Sequence, residues 1–183
     1  MNKSVLNLLF IFILISCATN AQYQPKNTSK ADLDKAQQWV NKTYNSLSQD
    51  EKLGQLFIVA LYTNKDDNHI NQVRNIVVND KIGGLILMQD DAAKEINLVN
   101  EFQQKSKVPL MIGMDAEWGL YQRIAAAHKF PWAMTLGAIQ DKNLIYQMAS
   151  KIAEDCKRMG INWDFAPVVD VNTNPNNPII GNR

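Results

Sequence analysis

The chain is short of the residues on which metal and redox chemistry depend. Its 183 residues include 2 histidines and 2 cysteines. So few imidazole and thiol groups leave no basis for a metal centre or a disulfide framework, and no metal or organic cofactor is expected. Charge of either sign is not in excess, with 19 Lys and Arg against 18 Asp and Glu. No basic patch of the kind that grips nucleic acid is therefore present. No glycine-rich phosphate loop follows the first apolar strand candidate, which argues against a nucleotide-binding sheet. Internal repeats and low-complexity runs are also missing. The longest apolar run, Val5 to Ile15, falls short of the roughly 20 residues that cross a bilayer.

That run does have the length of a secretory signal core, and Lys3 supplies the positive charge before it. Leu14-Ile15-Ser16-Cys17 resembles a bacterial lipobox, which makes residues 1–16 the expected signal peptide and Cys17 the expected site of lipidation. Thr19-Asn20-Ala21 offers a weaker site for ordinary cleavage. On this reading the protein is exported to the periplasm or cell surface and joins a membrane through its N-terminal lipid. Residues 17–30 are polar and act as a tether. With Cys17 lipidated, Cys156 is the remaining thiol. It lies within the helical pattern Leu144 to Met159 and is expected to pack as a small buried hydrophobe.

From residue 31 onward helical and strand patterns alternate. Ser29 and Asp32 open a helix to about Tyr44, and Ser48-Gln49-Asp50-Glu51 is a capping box for a second, short helix. Strands are expected at Leu56–Leu61, Leu85–Met88, Leu110–Asp115 and Ile161–Val171. The intervening helices are expected at Asn68–Asn79, Ala92–Lys105 and Asp141–Met159, the last closed by Gly160. Short, uninterrupted apolar strands between helices indicate a parallel sheet covered on both faces. A barrel and an open doubly wound sheet both satisfy the pattern.

The chemistry gathers at strand ends. Asp115-Ala116-Glu117-Trp118-Gly119-Leu120-Tyr121-Gln122-Arg123 places carboxylates, aromatics and an arginine within nine residues. Carboxylates accept hydrogen bonds from paired sugar hydroxyls, and aromatic faces cover the apolar side of a pyranose. The competing reading is that Asp115 caps a following helix and Glu117 pairs with Arg123. Asp164 and Asp170 share one side if their strand is extended throughout. Asp164 is expected to satisfy neighbouring scaffold groups, whereas structural and site roles are equally open for Asp170. His128, before Phe130-Pro131-Trp132, reads as a loop-packing residue, and His69 as a solvated one.

Five segments taken together resemble the ordered signatures of family 3 glycoside hydrolases, nearest the β-N-acetylglucosaminidase (β-hexosaminidase) branch. They are Ser48-x-x-Glu51-Lys52-x-Gly54-Gln55-Leu56, Ile82-Gly83-Gly84-Leu85-Ile86-Leu87, Gly113-x-Asp115-x-Glu117-x-Gly119-x-x-Gln122-Arg123, Phe130-Pro131 and Asp164-Phe165-Ala166-Pro167-Val168-Val169-Asp170-Val171. The resemblance implies an α/β fold, the N-terminal half of a (β/α)8 TIM-type barrel, left incomplete at 183 residues against the roughly 250 of a whole barrel. Residues 31–183 are then a truncated N-terminal part of that domain. It also implies that Asp115 and Arg183 bind the terminal sugar, with Glu117, Arg123 and Asp170 as possible supporting residues. Trp118 and Leu120 depart from the branch, which often has glycine and arginine there.

The implied reaction is retaining hydrolysis, which releases terminal non-reducing β-N-acetylglucosamine from peptidoglycan or chitin-like fragments. The nucleophilic aspartate and the acid/base histidine of the branch have no counterpart here and are expected downstream, so this stretch alone is expected to be inactive. The implied partner is a carbohydrate substrate. No protein partner is indicated. Two alternatives stand: a family 3 β-glucosidase or β-xylosidase, and a non-catalytic glycan-binding envelope lipoprotein.

Overall fold

The computed structural model describes residues 29–89, 91–174 and 176–181. The signal-peptide residues, Cys17, most of the tether and Arg183 lie outside the described residues. The chain divides into two units, residues 1–42 and 43–183. In the first, helix α1 (Lys30–Asn45) begins where the Ser29 hydroxyl accepts the Asp32 amide at 3.1 Å, and none of the helix is buried. Its last residues, 43–45, belong to the second unit.

In the second unit, local caps set where each helix starts. Helix α2 (Gln49–Gly54) opens on the expected capping box: the Ser48 hydroxyl accepts the Glu51 amide at 3.2 Å, and the Ser48 amide donates to the Glu51 carboxylate at 2.9 Å. Lys107 reaches the same carboxylate at 2.7 Å, and these bonds hold Glu51 below its usual pKa, the lysine contributing most. Helix α3 (Asp67–Asn75), capped by Asp66, runs into a π turn, Ile76–Asp80. Helix α4 (Ala92–Lys105) is capped by Asp91, the short helix α5 spans Ala133–Gly137, and helix α6 (Lys142–Arg158) is capped by Asp141.

The strands β1 (Ile58–Tyr62), β2 (Gly84–Gln89), β3 (Met111–Met114) and β4 (Trp163–Asp164) form one sheet in the order β1-β2-β3-β4, every pair parallel. A doubly wound sheet reverses its strand order at a switch point. This order never reverses, which is how the strands of a (β/α)8 barrel succeed one another. The architecture is thus that of the N-terminal half of such a barrel.

Register assigns the two faces. The rows Val59–Leu85–Ile112 and Leu61–Leu87–Met114 lie under the helices, where Leu61, Leu85, Leu87, Ile112 and Met114 are wholly buried with Phe102, Val73 and Val77. The alternate rows, Ile58–Gly84–Met111 and Ala60–Ile86–Gly113–Trp163, lie on the other face. There Ile58, Met111 and Trp163 are 41%, 46% and 40% exposed.

The paired glycine motifs have a packing reason. A Cβ on Gly54 would stand 2.0 Å from the Asp80 carbonyl, and one on Gly83 would stand 2.1 Å from the Gln55 carbonyl. Gln55 Nε2 closes this contact by donating to the Lys81 carbonyl at 2.5 Å. Helix α2 therefore packs backbone to backbone on the turn that leads into β2.

The strand limits differ from expectation, by one residue at each end of the second and third strands and by more in the first and fourth. Leu56 and Phe57 belong to the turn after α2, their amides bonded to the Leu53 and Gly54 carbonyls, each at 3.0 Å, so β1 starts at Ile58. Strand β4 stops at Asp164 because its partner β3 ends at Met114 and Pro167 has no amide with which to extend a ladder. Asp170 is consequently an exposed residue outside the sheet, and the shared-face argument linking it to Asp164 does not hold.

Candidate functional site

The site is the turn that leaves the C-terminal end of β3. Asp115 is its first residue, one third exposed, and the Arg123 guanidinium Nη2 donates to its Oδ2. Of the two readings left open, the Glu117–Arg123 pair does not form: Arg123 holds Asp115, and Glu117 has another partner. Gln122 Oε1 accepts the Glu117 amide at 2.8 Å, and Gln122 Nε2 donates to the Glu117 carboxylate at 3.1 Å. Asp115 opens no helix, so the capping alternative does not apply either.

A short 3-10 turn, Leu120–Gln122, makes this possible by folding Gln122 and Arg123 back over residues 115–117. It starts at Gly119, whose φ of 82° is a left-handed conformation that other residues adopt at a cost. A Cβ there would also meet Phe130 Cδ2 at 2.7 Å. Phe130 is fixed in turn by donating its amide to the Trp118 carbonyl at 3.1 Å. Glycine at this position and the aromatic at 130 are thus two halves of one contact.

The middle residue of the turn is held from β4. The Ala116 amide donates to Asp164 Oδ1 at 3.0 Å, which agrees with the scaffold role expected of Asp164. Burial pushes the Asp164 carboxyl pKa up, and the nearby Asp115 and Glu117 carboxylates push the same way, while the Ala116 hydrogen bond opposes them. Three carboxylates, Asp115, Glu117 and Asp164, thus lie near one another, and Arg123 pairs with the first. Arg123 Nε is buried without a hydrogen-bond partner among the described residues.

Trp118 stacks obliquely on Trp132 at 5.8 Å between ring centroids. His128 packs its edge on Phe130 at 4.6 Å and is exposed, as a loop-packing residue would be. His69 differs from expectation. It is half-buried, its Nε2 accepts the Tyr62 amide at 3.1 Å, and burial lowers its pKa. Cys156 is buried and its thiol is pushed up to about 11, chiefly by burial. A groove of about 650 Å³ runs beside β4 and α6, walled by Leu136, Met148, Ile152, Pro167 and Val168, with Glu117 and Asp164 also on its lining. Its walls are mainly apolar.

The structure brings Asp115, Glu117 and Arg123 together, and adds Gln122 and Asp164 to them. Gln122 could not be singled out by residue type, because its role depends on the back-folded turn. Arg183 lies outside the described residues.

Residues 48–183 match the glycosyl hydrolase family 3 N-terminal domain. The chain is similar to a β-N-acetylglucosaminidase/β-glucosidase of Cellulomonas fimi, 33% identical over 145 residues that cover 79% of this chain and 25% of the relative. It is similar to β-hexosaminidase A of Pseudoalteromonas piscicida, 42% identical over 115 residues covering 56% and 19%. Among solved structures it resembles the β-glucoside phosphorylase BglX bound to 2FGlc, with a TM-score of 0.71 and 26% identity, over 85% of this chain and 27% of that one. The chain therefore spans about a quarter of the length of these relatives or less.

Proposed function

Because the chain belongs to glycosyl hydrolase family 3, we propose that it forms the sugar-positioning part of an exported retaining β-N-acetylglucosaminidase. The substrate is terminal, non-reducing β-N-acetylglucosamine on amino-sugar glycans such as peptidoglycan or chitin-like fragments. The observation that carries this reading is Asp115, a carboxylate presented at the C-terminal end of β3 and held by Arg123. A carboxylate fixed before the ligand arrives accepts hydroxyl hydrogen bonds with little further loss of side-chain freedom. The names of the Cellulomonas fimi and Pseudoalteromonas piscicida relatives support the choice of sugar.

In the reaction a carboxylate attacks the anomeric carbon while an acid protonates the leaving oxygen, and water then cleaves the glycosyl-enzyme. Asp115 and Arg183 hold the sugar during both steps. No residue of this stretch is proposed as the nucleophile or the acid/base, and groups that position a sugar do not form the glycosyl-enzyme without them. Neither histidine substitutes: His69 Nε2 is occupied by the Tyr62 amide, and His128 packs on Phe130. Lipid on Cys17 anchors the protein at an envelope membrane.

A family 3 β-glucosidase is the second reading, favoured by the double activity in the name of the Cellulomonas fimi relative. The test compares 4-nitrophenyl β-N-acetylglucosaminide with the β-glucoside, using the protein expressed from its intact gene. The proposal expects faster turnover of the acetylated substrate and release of the β anomer first. Preference for the glucoside would select the second reading. Glycan binding without turnover of either would leave a non-catalytic lipoprotein.

A further inference from the structure

Strands β3 and β4 are joined in an unusual way at both ends of their short ladder. The Asn162 amide donates to the Ile112 carbonyl and the Phe165 amide to the Met114 carbonyl, each at 3.0 Å. The returning bonds at the two ends come from side chains. The Ile112 amide donates to Asn162 Oδ1 at 2.9 Å, and the Ala116 amide donates to Asp164 Oδ1 at 3.0 Å. Asn162 and Asp164 thus perform the same task two residues apart, one neutral and one acidic. The acceptor oxygen is what the task requires, and the charge is incidental to it.

Ala116 is 1% exposed, so its amide has no water to turn to if Asp164 is removed. Asp115 is bonded directly to Ala116, and Asp164 is itself immobilised between the Asn162 and Phe165 backbone bonds. We propose that Asp164 is a positioning residue for Asp115, fixing the height of that carboxylate above the sheet through the Ala116 main chain. Arg123 sets where the Asp115 side chain points, and Asp164 sets where its backbone begins. A displacement of about 1 Å in such a group is enough to impair a site. The inference rests on the reading of Asp115 as a sugar contact.

The test uses Asp164→Asn and Asp164→Leu in the protein expressed from its intact gene. Two quantities are measured: kinetics on 4-nitrophenyl β-N-acetylglucosaminide, and hydrogen exchange of the Ala116 amide. Asp164→Asn keeps the acceptor oxygen and is expected to stay within about threefold of the parent in both, as a hydrogen bond of similar geometry implies. Asp164→Leu is expected to raise KM by about tenfold, the equivalent of one lost hydrogen bond, with kcat less affected, and to speed Ala116 exchange by at least as much. Fast Ala116 exchange with unchanged KM would overturn the positioning role. Equal damage from Asn and Leu would overturn the argument that the acceptor matters and the charge does not. Asp115→Asn serves as the control: an unchanged KM in that variant would overturn the sugar-contact reading itself, and the inference with it.

Discussion

Gly113 offers a sharp test of how β3 and β4 are packed. It lies in the row Ala60–Ile86–Gly113–Trp163, and the Phe165 ring is seated directly on it. A methyl group added at Gly113 would stand 2.6 Å from Phe165 Cε2 and 3.1 Å from Cζ. Carbon atoms prefer about 3.5–4.0 Å, so the ring must retreat by about 1 Å. It has little room to do so, because its own amide is bonded to the Met114 carbonyl at 3.0 Å and the Trp163 ring lies 4.8 Å away. Overpacking of this kind costs about 1–3 kcal/mol. Gly113→Ala should therefore lower the thermal midpoint by about 4–8 °C at a cost near 2 kcal/mol, for a cooperative unit of about 150–250 residues. The assay is thermal unfolding of the protein expressed from its intact gene, in the parent and in a Phe165→Ala background. In that background the added methyl should cost about 0.5 kcal/mol or less, since the obstacle is gone. An equal drop in both backgrounds would refute the reasoning, because the ring would not be what excludes a side chain at 113.

Further outcomes follow from the same packing and electrostatics. Phe102 is fully buried under the sheet, and Phe102→Ala should lower stability by about 3–5 kcal/mol, read from the urea midpoint. Arg74 and, after it, Lys105 hold the Glu101 carboxyl at about 2, below its ordinary 4.5. That stabilisation is present above pH 4.5 and is lost as pH falls towards 2, so Glu101→Gln should flatten the acid limb of the stability curve over that range. Asp164 has the opposite sign: its raised pKa favours the folded state below the ordinary 3.8 and that advantage disappears as pH rises. Asp164→Asn should accordingly gain stability relative to the parent between pH 4 and 7. The Cys156 thiol, raised to about 11, should resist iodoacetamide at pH 8 in the folded protein and react once it is unfolded.

The helices were the most legible part of the fold. Ser48, Asp141 and Gly160 mark their ends through local hydrogen bonds and backbone preference, which depend on neighbours in sequence alone. Strand β4 was not, because its length is set by where β3 stops. Alternation of apolar residues from Ile161 onward carries no sign of that limit. The strand order was also invisible to periodicity, which fits a barrel and an open sheet equally, and it was the motif resemblance that favoured the barrel. In the site, Asp115 and Arg123 could be picked out by residue type. Their pairing could not, since the back-folding at Gly119 decides whether Arg123 meets Asp115 or Glu117. His69 is not legible for a related reason: its polar surroundings in sequence conceal the Tyr62 amide that the fold brings to it.

The central claim is that Asp115, held by Arg123, receives the terminal sugar. Titration calorimetry with N-acetylglucosamine, on the protein expressed from its intact gene and on its Asp115→Asn variant, tests it most directly. A hydrogen bond to a charged group is worth about 1.5–3 kcal/mol, so the variant should bind about 10- to 150-fold more weakly while its thermal midpoint stays near that of the parent. Equal affinity in the two proteins would contradict the claim and leave the Asp115–Arg123 pair as a structural contact.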